Sequence, residues 1–149
     1  MIKLNLPEYS FKIINLNNTL KIFDNIRKRY VCLTPEEWVR QNFMMYIVKE
    51  KNVPVSHIKT ESMLRLHSLN KRTDAIVYNK NMEASVLIEF KSPEVKIDQT
   101  VFEQINIYNT VLKTNFIVVT NGLIHYYAHI NYETGKIFFI NDFPLYDAL

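Results

Sequence analysis

The sequence predicts an α/β domain whose core runs helix, three-strand meander, helix, strand, with a short hairpin before it and further strands after it. Three observations predict this order: a capped helix near residue 34, three short β-branched or aromatic runs between residues 58 and 91, and a second capped helix near residue 98. The 149 residues are 48% hydrophobic and 22% charged, which excludes a disordered chain. We expect residues 1–149 to form one domain around one hydrophobic core.

Turn and cap signals define the first part of the chain. In the segment FKIINLNNTLKIF at 11–23, two short alternating apolar runs flank an Asn-Asn pair, which predicts a hairpin. Thr34 can cap a helix, Pro35 suits its first position, and Glu37 stands where a capping box needs an acid. These signals predict a helix over 34–49, which the following Asn-Val-Pro sequence ends.

From residue 58 onward the sequence pattern is typical of β-strands. A turn-like NKNM sequence separates the second and third strands of the meander, so these two form a hairpin. Apolar residues at helical spacing after Asp98 predict the second helix, over 98–112. The predicted strands are 58–66, 73–79, 85–91, 116–120, 123–130 and 136–140.

Two carboxylates and an ammonium group are expected to meet in the central hairpin. Glu89 and Lys91 are two residues apart on one strand, so their side chains project from the same face. If the turn is centred between residues 81 and 82, paired residue numbers sum to 163 and Asp74 lies opposite Glu89. Direct cross-strand neighbours have Cβ atoms about 5 Å apart, so the three side chains share one patch.

Adjacent carboxylates remain charged only if cations neutralise them. Lys91 supplies one positive charge, and a divalent ion such as Mg²⁺ would supply more, since Mg²⁺ prefers oxygen ligands and often uses only one or two carboxylates. An ion held in this way polarises a phosphoryl oxygen and lowers the pKa of a bound water. Asp74, Glu89 and Lys91 therefore predict a site for phosphodiester hydrolysis.

The same residues resemble the core motif of the PD-(D/E)XK nuclease superfamily, although Thr73 stands where the family name has proline. Gln104 and Tyr108, four residues apart in the second predicted helix, are similar to the QxxxY motif of its RecB-like branch. The segments PEEWVRQ, RTDAIVY and IEFKSP look most like the amino-terminal domain of type I restriction enzyme R subunits. The resemblance covers about residues 23–122.

This resemblance implies a restriction-endonuclease-like core and a metal-dependent deoxyribonuclease. It implies that Asp74 and Glu89 bind Mg²⁺ or Mn²⁺, that Lys91 serves the attacking water, and that Gln104 and Tyr108 support the site or the DNA. Glu37 is a further candidate from the first helix, although the capping box explains it equally well. DNA is the implied partner, and helicase or methyltransferase subunits would come from other chains. Cutting both strands with one site per chain would need a homodimer or two separate events.

Other interpretations stay open at this stage. The fold could serve as a nucleic-acid or protein binding module that no longer cuts, or the Glu89–Lys91 pair could be an ordinary salt bridge. The basic stretch 27–29 and Arg72 could contact phosphate, but solvated connections are the favoured interpretation. The formal charge of +3 does not distinguish between these interpretations.

Composition also excludes some functions and indicates where in the cell the protein works. With two glycines the chain has no phosphate-cradling GxxxxGK loop, which excludes an ATP-driven motor within it. Cys32 is the single cysteine and excludes an internal disulfide. The lone cysteine indicates a reducing cytoplasm, and no apolar stretch reaches the length of a membrane span, so we expect a cytoplasmic protein without a membrane partner.

Overall fold

A computed structural model gives the fold. It describes residues 1–66 and 69–149, and within them all side chains except those of residues 64–66, 69–71 and 108. The strands β1 to β9 are Ile13–Leu16, Thr19–Asp24, Arg29–Cys32, Ile58–Leu66, Leu69–Tyr78, Ala84–Phe90, Phe116–Thr120, His125–Asn131 and Lys136–Ile140. The helices α1 and α2 are Pro35–Glu50 and Gln99–Leu112, and the short 3₁₀ helices are Val55–His57 and Tyr146–Ala148.

The first three strands form a small antiparallel sheet in the order β1-β2-β3. Asn17 and Asn18 connect β1 and β2 with positive φ angles of 51° and 59°, as a tight two-residue hairpin turn requires. The predicted hairpin is confirmed. The prediction that 27–29 is a solvated connection is wrong at both ends, because Arg29 begins β3 and the Arg27 side chain is buried in ion pairs.

The remaining strands form a six-stranded sheet in the order β4-β5-β6-β7-β8-β9. All neighbours are antiparallel except β6 and β7, which are parallel and joined through α2. The predicted order of helix, three strands, helix and strand is therefore confirmed. Strand β5 begins at Leu69, four residues before the predicted start at Thr73.

Both helices begin where their cap signals predict. The Thr34 hydroxyl accepts a hydrogen bond from the backbone N–H of Glu37, at 3.1 Å, and caps α1. The Asp98 carboxylate accepts from the backbone N–H groups of Thr100 and Val101 and caps α2. Only half of the predicted capping box forms, because the backbone N–H of Thr34 donates to the Cys32 carbonyl.

The large sheet is covered on both faces. On one face, α1 packs through residues such as Phe43 and Ile47 against alternate residues of the central strands, including Val77 and Ile88. On the other face, Ile105 of α2 packs against the intervening residues, which are Ile76, Leu87, Ile117, Val119, Ala128 and Ile130. Strands β5, β6 and β7 are thus clamped from both sides, which holds their ends in place.

A membrane-spanning helix would need to be longer and more apolar than either α1 or α2. Among residues 1–66 and 69–149, no helix meets that requirement.

Candidate functional site

The candidate site lies at the end of the β5–β6 hairpin. Ala75 pairs with Ile88, and Val77 pairs with Val86, so the paired numbers sum to 163 as predicted. The next position in this register sets Asp74 opposite Glu89. The hairpin thus brings the predicted pair of carboxylates to one end of two neighbouring strands.

The predicted pairing is wrong nearer the turn. Tyr78, rather than Asn79, pairs with Ala84, because the register shifts between Val77 and Tyr78. Asn79 instead closes the turn: its side-chain oxygen accepts from the backbone N–H groups of Asn81 and Glu83. The irregularity is confined to the turn and leaves the register at Asp74 unchanged.

The Asp74 carboxylate is held by two donors from different elements. Its Oδ2 accepts from the backbone N–H of Phe90 at 2.8 Å, and its Oδ1 lies 3.2 Å from Nη2 of Arg40 on α1. The Arg40 guanidinium also lies 5.4 Å from the centre of the Phe90 ring, so Arg40 is itself held in place by Asp74 and Phe90. Backbone and side-chain donors together orient the carboxylate before any ligand arrives.

Glu89 and Lys91 form the other half of the site. Nζ of Lys91 donates to Oε1 of Glu89 at 2.8 Å, and both side chains are largely buried, at 24% and 15% exposure for lysine and glutamate. Burial, followed by the nearby Asp74 charge, raises the pKa of the Glu89 carboxyl in spite of the Lys91 ammonium. The Lys91 ammonium therefore offsets only part of the effect that burial and the Asp74 charge have on Glu89.

Lys91 is held in its charged form. Burial lowers the pKa of Lys91, but the hydrogen bond to Glu89 and the charges of Glu89, Asp74 and Glu36 outweigh burial, and the net pKa is raised. At neutral pH the side chain is an ammonium group. In this state it can donate hydrogen bonds and stabilise negative charge, but it cannot accept a proton.

Glu36 is the acidic residue of α1 that faces this group. Burial and then the Asp74 charge raise the pKa of Glu36, with Arg40 and Lys91 acting in the opposite direction. The sequence interpretation selected Glu37 from this helix, whereas in the structure it is the neighbouring Glu36 on which the Asp74 charge acts. Its only available signal was that Glu36 and Arg40 are four residues apart and share a helix face.

Glu37 lies in a buried ion-pair network behind the site. Its carboxylate accepts from Nε2 of Gln41 at 2.8 Å and pairs with Arg27, which also pairs with Asp24 and, at 2.8 Å, with Glu61. Arg40 joins this network to Asp74, because its Nη1 lies 3.5 Å from the Glu37 carboxylate. Glu37 can therefore act on the carboxylate pair through Arg40.

Gln104 and Tyr108 lie on α2, the helix that packs on the face formed by Ile76 and Leu87. The Gln104 side chain is exposed, at the edge of the face that buries Ile105. The Tyr108 side chain lies outside the described part of the structure. Both residues remain predictions as supports of the site.

The donor set suits a hard divalent cation with an incomplete protein cage. Asp74 and Glu89 offer carboxylate oxygens, and burial followed by the Asp74 charge raises the pKa of Glu89. In residues 1–66 and 69–149, no three His, Cys, Asp or Glu side chains are placed to hold an ion by themselves. An ion here would need water or substrate oxygens as further ligands, which is how Mg²⁺ is commonly bound.

Comparison with known proteins places the chain in a family. The family model of the type I restriction enzyme R protein N terminus matches residues 35–144. A fragment of a putative HsdR subunit of a type I restriction enzyme from Vibrio vulnificus has a similar fold, with a TM-score of 0.50 at 20% identity. The match covers 73% of this chain and 24% of that one, and a comparison with curated sequences gives no significant match. The chain belongs to the type I restriction enzyme R protein N-terminal family.

Proposed function

We propose that the chain is a metal-dependent endonuclease domain of the PD-(D/E)XK type that hydrolyses DNA phosphodiester bonds. The observation that carries the proposal is the meeting of Asp74, Glu89 and Lys91 at one end of the β5–β6 hairpin. A salt bridge alone would need one carboxylate for one ammonium group. The second carboxylate, that of Asp74, is fixed beside this pair by the backbone N–H of Phe90 and by Arg40.

Asp74 and Glu89 would hold Mg²⁺ or Mn²⁺, which when bound polarises a phosphoryl oxygen and acidifies a water molecule. Lys91, held as an ammonium group by Glu89, would orient the attacking water and stabilise the charge that develops on the phosphoryl oxygens. Arg40 would keep Asp74 in position, since it is 7% exposed and anchored on the Phe90 ring. Gln104 and Tyr108 would support the pocket from α2.

Cutting in a biological setting would involve further chains. The matched HsdR fragment is about four times longer than the part this chain aligns with, since the match covers 24% of it. Helicase and methyltransferase subunits would bring DNA to the site, and a homodimer would supply one site for each strand.

The alternative is a binding module that has kept the nuclease fold without its activity. One observation favours it: both oxygens of Asp74 already accept hydrogen bonds, from Arg40 and from the backbone N–H of Phe90. A metal ion would have to share these oxygens. If sharing is too costly, the chain would bind nucleic acid or protein and would not cut.

Cleavage of supercoiled plasmid DNA separates the two. The proposal predicts nicked and linear products with Mg²⁺ or Mn²⁺ and none with EDTA, and loss of these products in Glu89→Gln. Glu103→Gln is the matched control, because it removes the same charge from an exposed position on α2 and should cut at the parent rate. Absence of metal-dependent products from the folded parent protein would favour the binding module.

A further inference from the structure

Two exposed arginines from different strands converge beside the candidate site. Arg72 of β5 pairs with Oε1 of Glu61 on β4, and Nη2 of Arg29 on β3 lies 3.8 Å from Oε2 of the same carboxylate. The side chains of Arg29 and Arg72 are 64% and 57% exposed. The sequence alone does not show that these two arginines are close, because they are 43 positions apart in the chain.

Glu61, the shared partner of the two arginines, has an unusual backbone conformation. Its φ of 55° is left-handed in the middle of β4, where a residue other than glycine costs about 1–3 kcal/mol. Thr60 pairs with Ala75 and Ser62 with Thr73, so Glu61 stands at the register position opposite Asp74. Glu61, which pairs with both arginines, is thus the cross-strand neighbour of Asp74, the proposed metal ligand.

The surroundings leave both arginines able to bind an anion. A guanidinium carries five N–H donors, and Arg29 and Arg72 each contact Glu61 through Nη2. The Glu61 charge is already shared with two buried arginines: Nη1 of Arg27 is 2.8 Å from Oε1, and Nη1 of Arg40 is 3.6 Å from it. One carboxylate therefore faces four guanidinium groups, of which two point to solvent.

We infer that Arg29 and Arg72 form a binding site for backbone phosphates of the DNA that the proposed nuclease cuts. Arg72 precedes Asp74 by two residues on β5, a distance of about 7 Å along the strand. Arg72 therefore lies close enough to the carboxylates for both to contact the same stretch of DNA backbone. This inference rests on the proposed function for its choice of DNA, but it concerns binding and not cutting.

The test measures binding without metal, so that it does not depend on cleavage. A short fluorescein-labelled DNA duplex is titrated with the full chain in EDTA at several salt concentrations. Arg29→Gln with Arg72→Gln should weaken binding for every duplex sequence and lower the slope of log K against log salt by about 2, one for each phosphate contact. The matched control is Lys113→Gln with Lys136→Gln, which removes two exposed charges, one at the end of α2 and one on β9.

Glu61→Gln provides a change of opposite sign. Removing the carboxylate charge frees the arginines and should tighten DNA binding, provided that circular dichroism shows the parent fold. Equal slopes for the arginine variant and the lysine control would overturn the inference, as would arginine-dependent binding of an RNA duplex with none of DNA. A protein that binds DNA through these arginines but does not cut would leave the inference standing and refute the proposed nuclease.

Discussion

The carboxylate of Asp74 on β5 accepts a hydrogen bond at 2.8 Å from the backbone N–H of Phe90 on β6. The regular pairs of these strands run up to Ala75 and Ile88, so this side-chain contact continues the connection where the backbone pairs stop. It places the Asp74 carboxylate next to Glu89, which flanks Phe90 in sequence. The strand end that supports the fold is therefore also the part that shapes the candidate site.

Asp74→Asn should remove the charge of this residue while keeping its hydrogen bond from the backbone N–H of Phe90. Asparagine keeps an oxygen that can accept from Phe90, so we expect a melting temperature close to that of the parent and a loss of about a hundredfold or more in plasmid nicking. Asp98→Asn is the matched control, since asparagine caps helices as well as aspartate does. Parent-like nicking by Asp74→Asn would contradict the proposed metal ligand.

Lys91→Ala should remove cleavage and keep the fold. The ammonium group is predicted to orient water and stabilise charge, so nicking should fall by about a hundredfold or more while the far-ultraviolet circular dichroism stays unchanged. Mn²⁺ should still raise the melting temperature, because both carboxylates remain. Lys113→Ala, an exposed lysine at the end of α2, should nick like the parent. Nicking by Lys91→Ala at the parent rate would refute its assignment.

Glu89→Gln should stabilise the metal-free protein at neutral pH. Burial and the Asp74 charge raise the pKa of Glu89, so the folded state binds more protons than the unfolded state above about pH 4. The free energy of unfolding of the parent therefore falls as pH rises from the unfolded-state pKa of Glu89 to its raised folded-state pKa. It should not fall in this way in the variant, which has no carboxyl group at this position. Thermal melts across pH should show a gain at pH 7 that disappears in acid.

The control for this prediction is Glu103→Gln, which should change stability by less than about 0.5 kcal/mol at any of these pH values, because the residue is exposed. Addition of Mn²⁺ gives a second check. It should raise the melting temperature of the parent and not that of Glu89→Gln. A lower melting temperature for Glu89→Gln at pH 7 would show that the carboxylate charge is already compensated.

Arg27→Met should strongly destabilise the protein. The guanidinium is 10% exposed and pairs with the carboxylates of Asp24, Glu37 and Glu61, so its removal leaves buried negative charges without a partner, at a cost of about 3–5 kcal/mol. Lys28→Met, the exposed neighbour, should change stability by less than about 0.5 kcal/mol. Urea unfolding of both variants checks this, and similar midpoints would mean that the network contributes little.

Much of the fold could be predicted from local signals. Thr34 and Asp98 cap the two helices, and the Asn17-Asn18 turn sets the first hairpin, because each acts within a few residues of its position. The register at Asp74 followed from the turn and from the alternation of the strands, although a one-residue irregularity at Tyr78 was missed. Spacing within a hairpin was enough to place Asp74 near Glu89.

The charge network could not be predicted, because it depends on contacts between distant segments. Arg27, 34 residues from Glu61, looks in sequence like part of a solvated basic stretch. Glu36 and Glu37 are adjacent, and only the packing of α1 shows that Asp74 acts on Glu36 while Glu37 pairs with Arg27. Long-range pairs of this kind leave no periodic pattern in a single sequence.

The most direct test of the central claim is a crystal of the chain soaked in Mn²⁺, with the anomalous difference map measured around the β5–β6 hairpin. Our account predicts a peak bound by carboxylate oxygens of both Asp74 and Glu89, and its loss in Asp74→Asn. A map from crystals soaked at saturating Mn²⁺ that shows no peak between these residues would contradict it.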